Sequence, residues 1–185
     1  MKVRIKRIEH ERIQDAPFTG ALVCGIMCHN KCKHCFNKHM KKEPTIEIEA
    51  EEVIKEVKSN PFNEGVIFSG LEWSEQPLEL VELCRLANEN GLKIAIYTGL
   101  TISQFYSRIG KAVESGTKLD GLEQIGVDNS LYTAIGSVVL DHAIPEEYYL
   151  KVGAYDESQN VDDYMPMGVK LATLNQDFIK IVKGE

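Results

Sequence analysis

The strongest constraint on the fold is an alternation of short apolar runs with amphipathic segments. Three runs are continuously apolar, which indicates strands buried on both faces; they span residues 21–24, 66–68 and 94–97. Apolar residues at helical spacing follow each run, and they predict helices over residues 44–60, 77–90 and 102–116. The order strand, helix, strand, helix, strand, helix predicts an α/β domain with a parallel sheet.

The patterns outside this central region are weaker. Apolar residues alternate with Lys and Arg over residues 3–8, which predicts an exposed strand in an N-terminal arm spanning residues 1–20. Further strands are expected at 122–127, 135–140, 148–152 and 178–182. Because 185 residues are enough to bury one core, we expect residues 1–185 to form a single domain.

Charge and hydropathy exclude several classes of protein. The chain carries 28 acidic residues against 21 Lys and Arg, a net charge of −7 that argues against a broad nucleic-acid-binding surface. No apolar stretch approaches the length of a membrane span, and the N-terminus lacks the apolar core of a signal peptide. A cytoplasmic protein with no membrane or nucleic-acid partner is therefore expected.

The cysteines are few and crowded. Four of the five lie within twelve residues, namely Cys24, Cys28, Cys32 and Cys35, while Cys84 stands alone. A secreted disulfide scaffold would spread an even number along the chain, so this crowding indicates a metal site in a reducing compartment. We expect Cys24, at the end of an apolar run, and Cys84, on an apolar helix face, to be packing residues.

The spacing Cys28-x-x-x-Cys32-x-x-Cys35 leaves two kinds of metal site open. Structural zinc sites usually pair two such motifs, and here a closed zinc site would have to recruit Cys24 or a nearby histidine. A [4Fe–4S] cluster usually takes four cysteines, so three would leave one iron with an open coordination position. The carboxyl ends of the predicted strands carry the cysteine loop, residues 69–72 and residues 98–99. Ligands bind at such ends in parallel sheets, and a site is expected there.

The cysteine motif, placed after the first strand of a β/α series, resembles the radical S-adenosylmethionine (SAM) superfamily. The resemblance implies a partial, incomplete parallel β/α barrel in which Cys28, Cys32 and Cys35 hold a [4Fe–4S] cluster. It also implies that the open iron chelates SAM, whose reductive cleavage yields a 5′-deoxyadenosyl radical that abstracts hydrogen.

The same resemblance assigns candidate SAM contacts. The segment Ser69-Gly70-Leu71-Glu72 resembles the superfamily's Gly-Gly-Glu-like segment, with Leu71 in place of the second Gly and Glu72 as acceptor for the SAM amino group. Thr98 and Gly99 resemble a segment beside the cofactor. His34 lies where the superfamily often places an aromatic residue against adenine. Phe36 would either shield the cluster or pack in the core, and core packing is the favoured interpretation.

Two further segments narrow the resemblance. Residues 32–37 resemble the C-x-x-C-F-N segment of the activating proteins of anaerobic (class III) ribonucleotide reductases, and residues 150–155 with 172–176 resemble their tail. The resemblance implies an enzyme that generates a glycyl radical on the reductase with an electron from a flavodoxin- or ferredoxin-type donor. The short chain also favours a substrate that completes the site. Two alternatives remain: a small radical SAM enzyme acting on a small molecule, and a non-catalytic zinc-binding module.

Overall fold

The computed structural model describes residues 1–116 and 129–183. The strands are β1 (Lys2–Ile5), β2 (Ile8–Arg12), β3 (Gly20–Cys24), β4 (Ile46–Glu49), β5 (Gly65–Ser69), β6 (Lys93–Tyr97), β7 (Glu147–Val152) and β8 (Asp177–Val182). The α-helices are α1 (Ala50–Ser59), α2 (Pro77–Glu89), α3 (Ile102–Gly116) and α4 (Asn129–Ala143). Short 3-10 helices span Phe36–Lys42, Trp73–Glu75, Glu157–Gln159 and Pro166–Gly168.

The main sheet is mostly parallel, as the sequence predicts. Its six strands lie in the order β2-β3-β5-β6-β7-β8, and β3, β5, β6 and β7 are parallel neighbours. The two outer strands, β2 and β8, run antiparallel to their neighbours. A separate two-stranded antiparallel ribbon joins β1 to β4. The carboxyl ends of the four parallel strands therefore meet at one edge of the sheet.

The two faces of the sheet are covered differently. The four helices described above pack on one face, where buried residues such as Val53, Leu83 and Ile109 join Phe68 and Ile96 in the larger core cluster. The other face is covered by loops and by the 3-10 helix Phe36–Lys42. Its smaller cluster unites strand residues with side chains from those segments, namely Ala16, Phe18, Leu22, Cys24, Met40, Ile67, Leu71, Ala95, Val169, Leu171 and Phe178.

Residues 135–140 lie in helix α4, so the strand expected there was wrong. A Cβ on Gly136 would lie 1.8 Å from the carbonyl oxygen of Tyr106, and one on Gly110 would lie 2.1 Å from that of Tyr132. The two helix backbones thus cross closely, which only glycine at both positions permits. The β-branched run around Gly136 favours a strand locally, but this helix–helix contact decides the outcome.

The N-terminal half also departs from two expectations. The first strand was expected to be exposed, but its residues Val3 and Ile5 are buried in the core. The first helix begins at Ala50 rather than at residues 44–45, because residues 46–49 alternate in polarity and pair with β1. Between the last loop cysteine and β4, the structure has the 3-10 helix Phe36–Lys42.

The remaining predicted elements are largely confirmed. Residues 148–152 and 178–182 lie in β7 and β8, and the second and third helices have close to the predicted bounds. The strand expected at 122–127 lies outside the described residues. Among the described helices, none is both long enough and apolar enough to cross a membrane.

Candidate functional site

The segment between β3 and the first 3-10 helix is an irregular loop, residues 25–35, that carries three cysteines. Its first residues are held by the neighbouring strand end. The amide of Ile26 donates to Oε1 of Gln76 at 2.7 Å, and the amide of Glu72 donates to the carbonyl of Met27 at 2.9 Å. The start of the loop is thus fixed beside residues 69–76.

The cysteines divide as the sequence predicts. Cys24 and Cys84 are buried, and burial raises the pKa of the Cys24 thiol to about 11. The other three cysteines are partly exposed free thiols. Within the described residues, no three His, Cys, Asp or Glu side chains lie close enough together to hold a metal ion. The loop therefore supplies thiols of the right chemistry and spacing, but the structure does not gather them around one point.

Glu72 is the most connected side chain at this edge of the sheet. It is only 3% exposed. One carboxylate oxygen accepts from the Thr98 hydroxyl at 2.9 Å and from the Ser74 amide at 3.2 Å. The other accepts from the Gly99 amide at 2.8 Å and from Nδ2 of Asn30 at 3.3 Å. Glu72 thus joins the cysteine loop to the ends of β5 and β6.

The other residues predicted after β5 lie beside Glu72. Ser69 and Leu71 are buried, and Gly70 has a φ of +81° that L-residues rarely adopt. A Cβ on Gly70 would lie 2.8 Å from Sγ of Cys24 and 3.3 Å from Sδ of Met40. A glycine is therefore required here by both backbone conformation and space.

His34 and Phe36 lie at the outer side of the loop. His34 has a φ of +56°, and its Nδ1 lies 2.8 Å from Oε1 of Glu157. The other carboxylate oxygen of Glu157 pairs with Nζ of Lys33 at 3.0 Å. Phe36 is 90% exposed, so the expectation that it packs in the core was wrong. It begins a 3-10 helix whose buried residue is Met40, so Met40 takes the core position.

Sequence reasoning missed several residues of the site. Asn30 and Gln76 hold the cysteine loop, and neither has a sequence signal beyond its position. Next to Cys28, the exposed His29 has Nδ1 2.9 Å from Oε2 of Glu75. Glu75 also pairs with Arg108 of α3 at 2.6 Å. These contacts tie the outer side of the loop to the helical layer.

Lys151 is a buried cation near the same edge. It is 8% exposed, its Nζ donates to the carbonyl of Gly153 at 2.6 Å, and it takes part in none of the ion pairs found among the described residues. Burial lowers the pKa of Lys151 from 10.5 to about 8, although Glu72 and Cys32 act to raise it. A buried and unpaired lysine is unusual and favours binding of an anionic group.

A cleft of about 540 Å³ opens on the face of the sheet opposite the four α-helices. Its walls combine strand-end residues with charged side chains and one exposed ring, and they include Arg7, Glu9, Arg12, Asp15, Phe36, Asn37, His39, Ser69, Gly70, Tyr97, Lys151, Lys170 and Gln176. Of the predicted cofactor residues, Phe36, Ser69 and Gly70 line this cleft.

The two predicted tail segments pack against each other. Gly153 has a φ of +90°, and a Cβ there would lie 2.5 Å from the carbonyl oxygen of Asn175. Nδ2 of Asn175 donates to the carbonyl of Ala154 at 2.8 Å. Gln176 caps its own turn by accepting from the amides of Ala172 and Thr173. The two segments therefore form one structural unit beside Lys151.

Comparison with known proteins supports an iron–sulfur centre at this loop. No curated protein was found to match the chain. A family model described as a 4Fe-4S single cluster domain matches residues 19–128, which is more than half of the chain and includes all three loop cysteines. The chain therefore belongs to the 4Fe-4S single cluster domain family, which is found in radical SAM enzymes.

Proposed function

We propose that the protein is a radical SAM activase that generates a glycyl radical on an anaerobic ribonucleotide reductase. The observation that carries the proposal is the meeting of the cysteine loop with the ends of β5 and β6 at the buried carboxylate of Glu72. In this proposal the mostly parallel sheet is the incomplete β/α barrel of the superfamily, with its helices outside and its cleft inside.

Cys28, Cys32 and Cys35 would hold the [4Fe–4S] cluster. They are free, partly exposed and carried on an irregular loop, so they can move together without breaking a helix or strand. Cys24 is buried beneath Gly70 and is not needed as a ligand. When bound, a reduced cluster and SAM supply the radical chemistry, and the protein supplies position and exclusion of water.

Glu72 would accept the amino group of SAM. Its two oxygens already accept four hydrogen bonds, of which the one from Asn30 is the longest at 3.3 Å. An ammonium group is a stronger donor to a carboxylate than a neutral amide. Bound SAM is therefore expected to displace the Asn30 side chain while Thr98 and Gly99 keep Glu72 oriented.

The substrate in this proposal is a glycine-containing loop of the reductase. The cleft is open, and its walls include Tyr97 and the unpaired Lys151. Asp15 helps to shape the cleft, because its carbonyl accepts from the Tyr97 hydroxyl at 2.7 Å. An open cleft suits a partner that brings its own wall better than it suits a small molecule that must be fully enclosed.

The proposal is tested with anaerobically purified and reconstituted protein. We expect about four iron and four sulfide per chain, 5′-deoxyadenosine after addition of dithionite and SAM, and a glycyl doublet in electron paramagnetic resonance after mixing with the reductase. Stoichiometric zinc in a colourless protein would refute the cluster. SAM cleavage without a glycyl signal on any glycyl radical enzyme would refute the activase and favour a small-molecule substrate.

A further inference from the structure

A second cavity lies along helix α3 and shares no described lining residue with the cleft. Its volume is about 290 Å³. The described residues that line it are one leucine and five polar residues of α3, namely Leu100, Ser103, Gln104, Ser107, Arg108 and Lys111. Each of these polar side chains can donate a hydrogen bond, and none of them is acidic. We call this cavity the α3 pocket.

The polar lining residues share one side of the helix. Positions 103, 107 and 111 are four residues apart, and 104 and 108 are their chain neighbours, so all five fall on one face of α3. Ser103 and Gln104 lie in the first turn, where the helix dipole favours an anion. A single helix face therefore presents donors and two cations to the same cavity.

Ser107 is a buried hydroxyl without a hydrogen-bond partner. It is 8% exposed, and its side chain makes no hydrogen bond to the part of the chain that the structure describes. Ser115 of the same helix differs, because its hydroxyl donates to the carbonyl of Lys111 at 2.7 Å. A buried polar group that forms no hydrogen bond costs free energy. The Ser107 hydroxyl, which lines the pocket, is thus free to bond a ligand there.

Arg108 and Gln104 also keep donors for a ligand. Nη1 of Arg108 donates to Oε1 of Glu75 at 2.6 Å and to Oγ of Ser74 at 3.3 Å. Among residues 1–116 and 129–183, Nε and Nη2 of Arg108 have no acceptor. Oε1 of Gln104 accepts from the amide of Thr101 at 3.0 Å, and its Nε2 donates to no described residue. Each side chain is therefore anchored by one atom while its other N–H groups stay unused.

The charge of the pocket is positive. Lys111 supplies the second cation, and its Nζ lies 5.2 Å from the ring centroid of Tyr132 in α4. Glu75, which pairs with Arg108, is not among the residues that line the cavity. An anion in the pocket would therefore meet two cations and hydroxyl and amide donors, with no carboxylate in the described lining.

We propose that the α3 pocket binds a small phosphate monoester. A phosphate group carries a charge of about −1.5 to −2 near neutral pH and three strong acceptor oxygens, which matches two cations and several donors better than the two oxygens of a carboxylate. The guanidinium group also fits phosphate geometry. Since small-molecule pockets begin at about 300 Å³, the cavity has room for a small organic group beside the phosphate, in contact with Leu100.

A nucleotide is a poorer occupant of the same pocket. A base and a ribose need a larger cavity with more apolar or aromatic surface, and Leu100 is the single apolar residue in the described lining. Inorganic phosphate has the right charge, but it leaves Leu100 without contact. An ester is therefore expected to bind more tightly than the free anion.

The test is isothermal titration calorimetry of the full chain at constant ionic strength, with glycerol 3-phosphate, inorganic phosphate and glycerol as probes. We expect the ester to bind most tightly, phosphate to bind more weakly, and glycerol not to bind. Arg108→Gln should raise the dissociation constant of the ester at least about tenfold, because a charged hydrogen-bond donor is lost. Ser107→Ala keeps the contact between Arg108 and Glu75 and should raise the dissociation constant about fivefold. Amide shifts in a nitrogen–proton correlation spectrum should cluster in α3.

Three variants serve as controls. Ser115→Ala removes a hydroxyl of the same helix that does not line the pocket, and Arg85→Gln removes an ion-paired arginine of α2. Lys170→Gln removes a cation of the cleft instead. All three should bind the ester like wild type.

The outcomes that contradict the proposal are specific. Absence of binding by both the ester and phosphate in wild type would overturn the site, and so would unchanged affinity in both Arg108→Gln and Ser107→Ala. Affinity lost in Lys170→Gln would place the anion in the cleft. Phosphate that binds as tightly as the ester would overturn the choice of an ester. None of these measurements needs the cluster or SAM, so their result is independent of the proposed function.

Discussion

Replacing Lys151 by Met is expected to stabilise the protein. Lys151 carries its charge in a site that is 8% exposed, with one hydrogen bond to the carbonyl of Gly153. Burial lowers its pKa from 10.5 to about 8, which means that the folded state disfavours the charged form. Met has a similar length and fills the same space without a charge.

The magnitude follows from that change in pKa. Each pKa unit corresponds to about 1.4 kcal/mol, so the charged lysine costs the folded state roughly 3 kcal/mol at neutral pH. Losing its hydrogen bond to Gly153 costs about 1 kcal/mol. That carbonyl keeps a longer contact of 3.4 Å with Nε2 of Gln176. The net gain is about 2 kcal/mol, or roughly 5 °C in melting temperature for a chain of this size.

The gain must depend on pH in a defined direction. Because the pKa of Lys151 is lower in the folded state, the unfolded chain binds more protons between about pH 8 and 10.5, and wild-type stability rises across that interval. The advantage of the Met variant is therefore complete below about pH 8 and shrinks above it.

Urea denaturation of the reduced, metal-free protein at about pH 7 and about pH 9.5 measures this difference. Lys55→Met, at a helix position 77% exposed, serves as the control and should change stability little at either pH. A Lys151→Met variant that is no more stable than wild type at about pH 7 would refute the predicted stabilisation. A gain that is equal at the two pH values would show that charge burial is not its cause.

Three further predictions concern the site. Gly70→Ala should cost about 1 kcal/mol more in the free energy of unfolding than Gly91→Ala, because both have positive φ but only the new Cβ at 70 meets Cys24; equal costs in urea titrations would show that space is not limiting. Glu72→Gln should raise the dissociation constant for SAM at least about tenfold, since the charge partner of the amino group is lost; equilibrium binding at the wild-type level would exclude that role. Brief alkylation of the folded, metal-free protein near pH 8 should label only the three loop cysteines by mass spectrometry, because these thiols are partly exposed whereas Cys24 and Cys84 are buried; labelling of either buried cysteine in the folded protein would contradict this.

The central strands were predictable from sequence because their residues are buried on both faces. A continuous apolar run such as residues 66–68 is too short to form a helix and too apolar to form a surface loop, so it indicates a buried strand. The glycines after α2 and at the end of α3 mark where those helices end. Helix α4 was not predictable by the same reasoning. Its residues 135–140 have a strand-like composition, and they are helical because Gly136 allows the backbone to approach Tyr106 of α3. Local propensity contains no information about that contact.

The residues of the candidate site also divide into those that the sequence reveals and those that it does not. The cysteine spacing and the segment ending at Glu72 stand out in the sequence, and the structure brings the cysteine loop and Glu72 to one edge of the sheet. Asn30, which joins them, does not stand out, because a single amide in a loop has many possible partners. Lys151 stands out in the sequence only as one residue of a tail motif. Its burial and its missing ion pair depend on how β7 meets segments distant in sequence.

The uneven covering of the sheet leaves room at one edge for the proposed cofactor and the proposed partner. In the described part of the chain the four α-helices pack on one face, so the strand ends on the other face are bounded by loops and 3-10 turns that leave a cleft. Lys151 is one of the residues that line this cleft. If Lys151 were kept for stability, its burial would be a disadvantage of roughly 3 kcal/mol. A function that requires a positive charge in the cleft accounts for that cost, and loss of SAM or partner binding in the more stable Lys151→Met variant is the result that this argument requires.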